Sequence, residues 1–223
     1  MEFERAADEL RDRAAPQGDL EAGGRDWSQL GALDQIGPYT DSIHYVLPKL
    51  LLVAQAFASQ PDNSASTEKN DAPNGQELAY GIAPGTKRVA MVDPQEAPSP
   101  VEELFEDIKQ HHQHPGVASY FRSLGNWPAF LEAIWHEIRP QVGTDTYNAR
   151  KSSLTGQAEQ AISPLLRRAV ARPTIPDDIT AILWVFERRL IPDLLLDVTM
   201  IEALLGRTTV TGGSSFSVAK GVL

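Results

Sequence analysis

Two apolar segments of this chain match each other, and the match limits the available folds more than any other feature of the sequence. The segment YVLPKLLLVAQAF at residues 45–57 aligns with RLIPDLLLDVTMI at residues 189–201, with the proline and the three leucines of each in register 144 positions apart. The same offset places Phe3 opposite Tyr147, so an amphipathic helix at the start of the chain matches a helix in the second half. Repetition at this length predicts a duplicated helical unit. Leucine-rich helices also resemble one another by chance, and that is the competing interpretation.

The duplication predicts that the first repeat is incomplete. At the same offset, the partner of the helix that contains Trp127 would lie before Met1. The second repeat would then contain a helix whose packing mate is absent. We therefore expect an apolar groove on that helix, either open or filled by another subunit.

Helical periodicity, with its start and stop signals, accounts for most of the chain. Apolar residues recur at helical spacing through residues 2–15 and 36–58, and the second of these helices is expected to be interrupted at Pro48. The stretch SPVEELFEDIKQHHQH begins with Ser99 as the predicted N-cap and Pro100 at the first helical position. The sequence therefore predicts an all-α fold. Further helices are predicted at residues 119–124, 128–138, 145–170 and 176–205, the last one kinked or broken at Pro192.

Composition divides the chain into parts. Residues 60–75 are polar and rich in turn-forming residues, and the tract that follows, up to Pro100, contains four prolines, which favours an irregular crossover. The C-terminal GGSSFSVAKGVL is rich in Gly and Ser. The predicted organisation is a remnant of the first helical repeat at residues 1–59, a linker and crossover at 60–98, a second helical repeat at 99–206 and a mobile tail at 207–223.

Charge and residue usage exclude several classes of function. The formal net charge is −10 and no run of Lys or Arg exceeds two residues, so nucleic acids and anionic membrane surfaces are poor partners. The absence of cysteine excludes disulfides, thiolate zinc sites and cysteine nucleophiles together. The longest apolar runs are far shorter than the roughly 20 residues of a membrane span. We expect a soluble, cytoplasmic protein.

The order of five motifs resembles the group I 2-haloacid dehalogenase (DehI) family. The motifs are YVLPKLLLVA, VEELFEDI, YFRSLGNWPAFLEAIWHEIRP, TYNARKSSL and RLIPDLLLDVTMIEALLG, and the resemblance runs from Phe3 to about Gly206. It implies an all-α fold of two related helical repeats around a buried site, related to the AhpD-like helical proteins. It also implies a cofactor-free hydrolysis, in which a buried aspartate deprotonates a water and the hydroxide displaces halide from a 2-haloalkanoic acid.

Both polar positions of the family site are substituted in this chain. The family segment resembles Asn-Ser-Asp-Tyr-Arg-Ala-Leu, and residues 118–124 read ASYFRSL, so Ser119 and Arg122 match while Tyr120 stands where the aspartate belongs. Leu47 stands where the family pattern has Asn before the proline. A phenol is ionised in about one molecule in a thousand at pH 7, which costs roughly 4 kcal/mol before it can act as a base. The resemblance therefore implies a weak or inactive member of the family.

The resemblance also assigns roles around this position. Ser119 would orient the water, Tyr120 would occupy the position of the base, and Arg122 would pair with a substrate carboxylate or within the fold. The pocket wall and substrate-binding set would be Leu47, Arg122, Trp127, Phe130 and Trp135. The apolar face of the helix could instead fill a core, or it could pair with a second subunit in a non-catalytic binding or assembly module.

Two further side-chain patterns are candidates for a metal site and for an acid and base pair. His111, His112 and His114 have a spacing that could bind a transition metal, but a solvated loop after a helix C-terminus explains them more simply. We therefore predict no metal. Glu132 and His136 could form an acid and base pair, although a solvent-facing contact four residues apart on a helix is commoner.

Asp197 lies in the apolar segment DLLLDVTM, where its counterpart in the first repeat is Val53. A buried carboxylate with a raised pKa would be an alternative base. The competing interpretation is an ion pair with Arg188 or Arg189. Besides the dehalogenase and the assembly module, a third hypothesis for the whole chain is an AhpD-like protein with other chemistry. The absence of cysteine argues against peroxidase activity.

Overall fold

The computed structural model describes residues 2–16, 25–58, 88–166 and 176–207, and these ranges contain α-helices and no strand. The all-α prediction is therefore confirmed. In chain order the helices are α1 (Glu2–Ala14), α2 (Leu33–Ala58), α3 (Ser99–His112), α4 (Ser119–Leu124), α5 (Pro128–Ile138), α6 (Asp145–Leu166), α7 (Asp177–Val185) and α8 (Ile191–Leu204). A short 3-10 turn (Trp27–Gln29) precedes α2, and a π-helical turn (Phe186–Leu190) joins α7 to α8.

The long helix α2 lies at the centre of the fold and packs against α1, α6, α7 and α8. The predicted interruption at Pro48 is wrong, because α2 continues through this proline. A proline inside a helix leaves the carbonyl four residues earlier without its usual donor. Here that carbonyl belongs to His44, and the buried Arg11 of α1 donates from Nε to it at 3.4 Å and from Nη2 to the Tyr45 carbonyl at 3.1 Å. A guanidinium from another helix therefore replaces the missing backbone donor.

Two predicted helix boundaries change in the structure. Ser99 is not the N-cap of α3, because the helix already begins at Ser99 and Pro98 occupies the cap position. The expected break near Pro192 takes the form of the π-helical turn that ends at Leu190, with Pro192 in the first turn of α8. No helix end separates the π-helical turn from the proline, and the Ile191 N–H donates to the Phe186 carbonyl five residues earlier, so the register of backbone hydrogen bonds shifts directly before Pro192.

The apolar face of α5 lies inside the core, so the expected open groove on this helix is not found. Phe130 is 0% exposed and Trp135 is 2% exposed. Trp27 of the 3-10 turn covers Phe130 with a T-shaped ring contact at 5.8 Å, and its Nε1 donates to the Leu204 carbonyl at 3.0 Å. A Cβ on Gly31 would lie 3.1 Å from the Phe130 Cβ, so the backbone before α2 closes directly over this ring.

The matched segments lie in α2 and α8, which pack against each other. Phe3 and Tyr147 lie in α1 and α6, which also pack against each other. A duplicated unit would give such pairs, but the duplication and the predicted division of the chain stay predictions. Most of the linker and all but the first residue of the predicted tail lie outside the described residues. Within the described ranges, no helix combines the length and the apolar character that a membrane crossing requires.

Candidate active site

Tyr120 lies near the start of the short helix α4 and is completely buried. Its hydroxyl is 3.0 Å from the Thr40 Oγ1 of α2, and its ring stacks on Tyr39 with centroids 5.7 Å apart. Thr40 Oγ1 already donates its one hydrogen to the Ile36 carbonyl at 2.8 Å, so the Tyr120 hydroxyl is the donor to Thr40. Burial raises the pKa of Tyr120 well above its usual value, and the phenol therefore stays neutral.

A second set of hydroxyls lies beside this one, and it is joined to Tyr120 by the ring stacking of Tyr39. Tyr39 donates to Ser123 Oγ at 3.0 Å, and Ser123 Oγ donates to the Val89 carbonyl at 3.2 Å. Burial raises the pKa of the Tyr39 phenol as well. The hydroxyl hydrogens of Tyr39, Thr40, Tyr120 and Ser123 are therefore all bound by other protein atoms.

The other two residues of the family segment lie away from the Tyr120 hydroxyl. Ser119 is exposed. Arg122 donates from Nε to the Val92 carbonyl at 3.0 Å, while the Val92 N–H donates to the Arg122 carbonyl at 3.1 Å. Arg122 thus fixes the crossover segment to α4. The Arg122 side chain is thus used for a contact within the fold, and it does not meet Ser119 at one site.

The residues predicted as a pocket wall belong to the apolar core. Leu47, Phe130 and Trp135 are buried, and the half-buried Trp127 packs against them at the start of α5. Trp135 Nε1 donates to Asp107 Oδ2 at 2.6 Å. The assembly hypothesis required Phe130 and Trp135 to be exposed, and this part of it is wrong because the chain's own residues cover them.

A cluster of charged side chains joins α3 to α8, and the sequence analysis did not predict it. His112, at the end of α3, lies with Nε2 at 2.8 Å from Asp197 Oδ2 and with Nδ1 at 3.0 Å from the Ile108 carbonyl. Both ring nitrogens face acceptors, so both carry hydrogen and the ring is an imidazolium. Burial works against this charge, but the Asp197 carboxylate, the Ile108 carbonyl and the Asp193 carboxylate together outweigh it and raise the pKa of His112 to about 9.

A second carboxylate, Asp193, completes the cluster one turn earlier on α8. His114 Nε2 lies 2.9 Å from its Oδ2, and Lys151 Nζ lies 2.9 Å from its Oδ1. Tyr147 places its hydroxyl 3.0 Å from both Asp197 Oδ1 and the Asp193 carbonyl. Each buried acid is thereby matched by a cation, which is the usual condition for charges inside a protein.

These contacts correct two interpretations of the sequence. His112 and His114 do not lie in a solvated loop, since His112 is ion-paired to Asp197 and His114 is hydrogen-bonded to Asp193. The partner of Asp197 is His112, not Arg188 or Arg189. The sequence feature that could have indicated this cluster is the pair of acids, Asp193 and Asp197, four residues apart in the apolar stretch of α8. In the described part of the chain, no group of three or more His, Asp or Glu side chains could hold a metal ion.

Arg188 and Arg189 have other partners in the structure. Arg188 pairs with the neighbouring Glu187 at 3.1 Å. Arg189 Nη2 donates to the carbonyls of His112 and Gln113 at 3.2 and 2.7 Å, and so caps the C-terminal end of α3. Glu132 and His136 are exposed, and nothing in their position supports catalysis.

A third buried acid, Glu202, lies near the Tyr120 position and contributes electrostatically to the raised pKa of Tyr120. Its Oε2 is 3.4 Å from Arg207 Nε, and Arg207 also binds Asp41 through both carboxylate oxygens. Burial raises the pKa of Glu202 to about 8, and the Asp41 carboxylate adds to the shift while Arg207 opposes it. Glu202 is therefore mostly a neutral acid at pH 7.

The side chains at the α3 and α8 cluster border a cavity of about 150 Å³. It lies between the end of α3, the loop before α6, the first turns of α6 and the junction of α7 with α8. Tyr120 does not line it. The lining residues are His111, His112, Gln113, Val142, Gly143, Tyr147, Asn148, Lys151, Arg189 and Asp193.

Comparison with known proteins identifies relatives over most of the chain, although no family model matches it. A configuration-inverting 2-haloacid dehalogenase of Pseudomonas sp. (strain 113) is 23% identical over 223 residues, covering 91% of this chain and 72% of the relative. The protein of the same name from Alcaligenes xylosoxydans xylosoxydans is 25% identical over 238 residues, covering 96% of this chain and 78% of the relative.

Solved structures show the same fold. A D-2-haloacid dehalogenase mutant in complex with D-2-CPA superposes with a TM-score of 0.63 at 22% identity, and a D-2-haloacid dehalogenase with L-LA superposes with a TM-score of 0.61 at 21% identity. Each match covers 91% of this chain and 76% of the solved chain. These findings confirm the resemblance that the motifs predicted. The chain is similar over most of its length to configuration-inverting 2-haloacid dehalogenases, and it has the fold of the D-2-haloacid dehalogenase structures.

Proposed function

We propose that this chain is a 2-haloacid dehalogenase-type protein in which the hydrolysis of 2-haloalkanoic acids is weak or absent. The observation that carries the proposal is the state of Tyr120. It is fully buried, and its hydroxyl is a hydrogen-bond donor to Thr40. A residue at the base position must accept a proton from water, and a neutral phenol whose hydrogen is already bound cannot do so.

The free-energy cost of ionising a phenol also disfavours Tyr120 as a base. An unperturbed phenol already loses roughly 4 kcal/mol as a base at pH 7, because so little of it is ionised. Burial raises the pKa of Tyr120 further and makes the phenolate rarer still.

The proposed chemistry, where it occurs, follows the family reaction implied by the motifs. A carboxylate takes a proton from water, the hydroxide oxygen forms a bond to the carbon that bears the halogen, and the halide leaves with the bonding electrons. The ligand would be a 2-haloacid or a related small carboxylate, and no cofactor is needed. Location in the cytoplasm, the absence of nucleic-acid binding and assembly into a homodimer stay predictions from the sequence.

The test is halide release from both enantiomers of 2-chloropropionate by the wild-type chain and by Tyr120→Asp. We expect little or no release by the wild type and a measurable gain in Tyr120→Asp, since the shorter acid both supplies a base and vacates room for water. Tyr120→Asn is the matched control, because it has the shape of Asp without the basic oxygen. Rapid release by the wild type, or equal release by the Asn and Asp variants, would refute the proposal.

A further inference from the structure

We propose that the cavity between α3, α6 and α8 is a binding site for a small carboxylate anion, separate from the Tyr120 position. The proposal does not depend on whether the chain is a dehalogenase. It rests on the shape of the cavity, the charges of its lining and the hydrogen-bond donors that remain available there.

The lining carries more positive than negative charge, which is unusual in a chain with a formal net charge of −10. His112, Lys151 and Arg189 are cationic groups of the lining, and Asp193 is its one carboxylate. Asp193 is paired with Lys151, and Asp197, behind the lining, is paired with His112, so Arg189 supplies the excess positive charge. The cavity is therefore a local positive region, and an anion is the ligand that such a region attracts.

Donors for an anion remain on two of these cations. The bonds that Arg189 makes to backbone carbonyls use only Nη2, and a guanidinium has five N–H groups. Lys151 has three ammonium hydrogens, and its ion pair in the described structure is with one oxygen of Asp193. A carboxylate between these side chains could form charge-assisted hydrogen bonds with both.

The dimensions and the rest of the lining favour a small organic monoanion. A volume of about 150 Å³ has room for a few heavy atoms beside the charged groups. Val142 and the ring of Tyr147 give a short carbon chain an apolar surface. Inorganic phosphate has no carbon chain to contact this apolar surface, so it is the poorer fit.

The cluster behind the cavity fixes these groups in place. His112 is held by Asp197 and Ile108, and Tyr147 is held by Asp197 and the Asp193 carbonyl. A ligand would therefore meet side chains whose positions are already set, which lowers the entropy lost on binding.

The experiment is a titration of the full chain with sodium propionate at constant ionic strength, followed by two-dimensional amide NMR. We expect saturable shifts centred on the backbone amides of Gly143 and Asn148, with a Kd on the order of 1 mM, which is typical of a weak small-ligand site. Lys151→Gln and Arg189→Gln should each weaken binding at least about fivefold, as expected for loss of a charged hydrogen bond. Arg5→Gln, which removes a charge from an exposed side chain on α1, should not.

Several results would overturn the inference. Absence of saturation up to about 50 mM, far above the expected Kd, or shifts centred on another region, would exclude the site. The wild-type titration decides this even if a variant fails to fold. Tighter binding of inorganic phosphate than of propionate at the same residues would refute the choice of a monocarboxylate. Equal weakening by Arg5→Gln would show a general effect of net charge.

Discussion

The buried ion pair of His112 and Asp197 should make the stability of this protein fall as the pH rises above neutral. The pKa of His112 is raised from its ordinary value of 6.5 to about 9 in the fold. A histidine with a raised pKa contributes its full stabilisation below pH 6.5 and loses it as the pH rises through 9. At about 1.36 kcal/mol for each pH unit between the two values, the loss is about 3 kcal/mol.

The assay is urea unfolding followed by far-ultraviolet circular dichroism at pH 6, 7.5, 9 and 10. Circular dichroism avoids a local artefact, because the His112 ring lies 5.6 Å from the ring of Trp135 and its charge would alter the fluorescence of that side chain. The reference is His112→Gln, which removes the titrating group and leaves the other acids and bases in place. The free energy of unfolding of the wild type relative to this variant should fall by about 3 kcal/mol between pH 6 and pH 10.

A difference between wild type and variant that does not change with pH would refute the reasoning. It would show that His112 is neutral in the fold and that its contact with Asp197 is an ordinary hydrogen bond. A difference that rises with pH would show that burial outweighs the carboxylate and lowers the pKa of His112.

Three further predictions concern other buried groups. Replacement of Arg11 by Met should destabilise the fold by about 3 kcal/mol, since it leaves the His44 carbonyl without a donor and Asp8 without its cation, whereas Arg5→Met should have almost no effect in the same urea assay. Glu202→Gln should leave the melting temperature nearly unchanged at pH 4.5 and raise it relative to the wild type by pH 8, because the wild type must keep a carboxyl group whose pKa is raised to about 8 away from water. If Glu202→Gln lowers the melting temperature more at pH 8 than at pH 4.5, the folded protein stabilises the Glu202 carboxylate and the expected destabilisation is wrong. Phe130→Ala should cost about 3 to 5 kcal/mol by opening a cavity in the core, and Trp127→Ala should cost less because Trp127 is only half-buried; comparable unfolding midpoints for Phe130→Ala and the wild type would contradict the packing described for α5.

The substitution of Tyr for the family aspartate has a consistent structural setting. Thr40 accepts the hydrogen bond that a buried phenol at position 120 requires, and the ring of Tyr39 stacks on the ring of Tyr120. Leu47 at the second family position is likewise buried in the apolar core. The surroundings of Tyr120 are therefore suited to a neutral side chain. In Tyr120→Asp, the introduced carboxyl group must ionise in these surroundings before it can act as a base.

The sequence by itself determined the helices and the family relationship. Helices form through hydrogen bonds between residues four apart, so apolar spacing and proline positions in the local sequence were enough to predict α3, α4 and α5 to within a residue or so. The ordered motifs were enough to predict the relatives, and the departure at Tyr120 is visible in the sequence itself.

Only the tertiary structure decided which groups meet. Where helix α2 continues through Pro48, the carbonyl without its helical donor is bound by Arg11, which lies 33 residues away in the chain. His112 and Asp197 are 85 residues apart, and neither local pattern shows that the other is near. Whether a polar side chain in an apolar helix is a solvated residue, a base or half of an ion pair depends on what another helix places beside it. That is a property of packing, and periodicity along one helix carries no information about it.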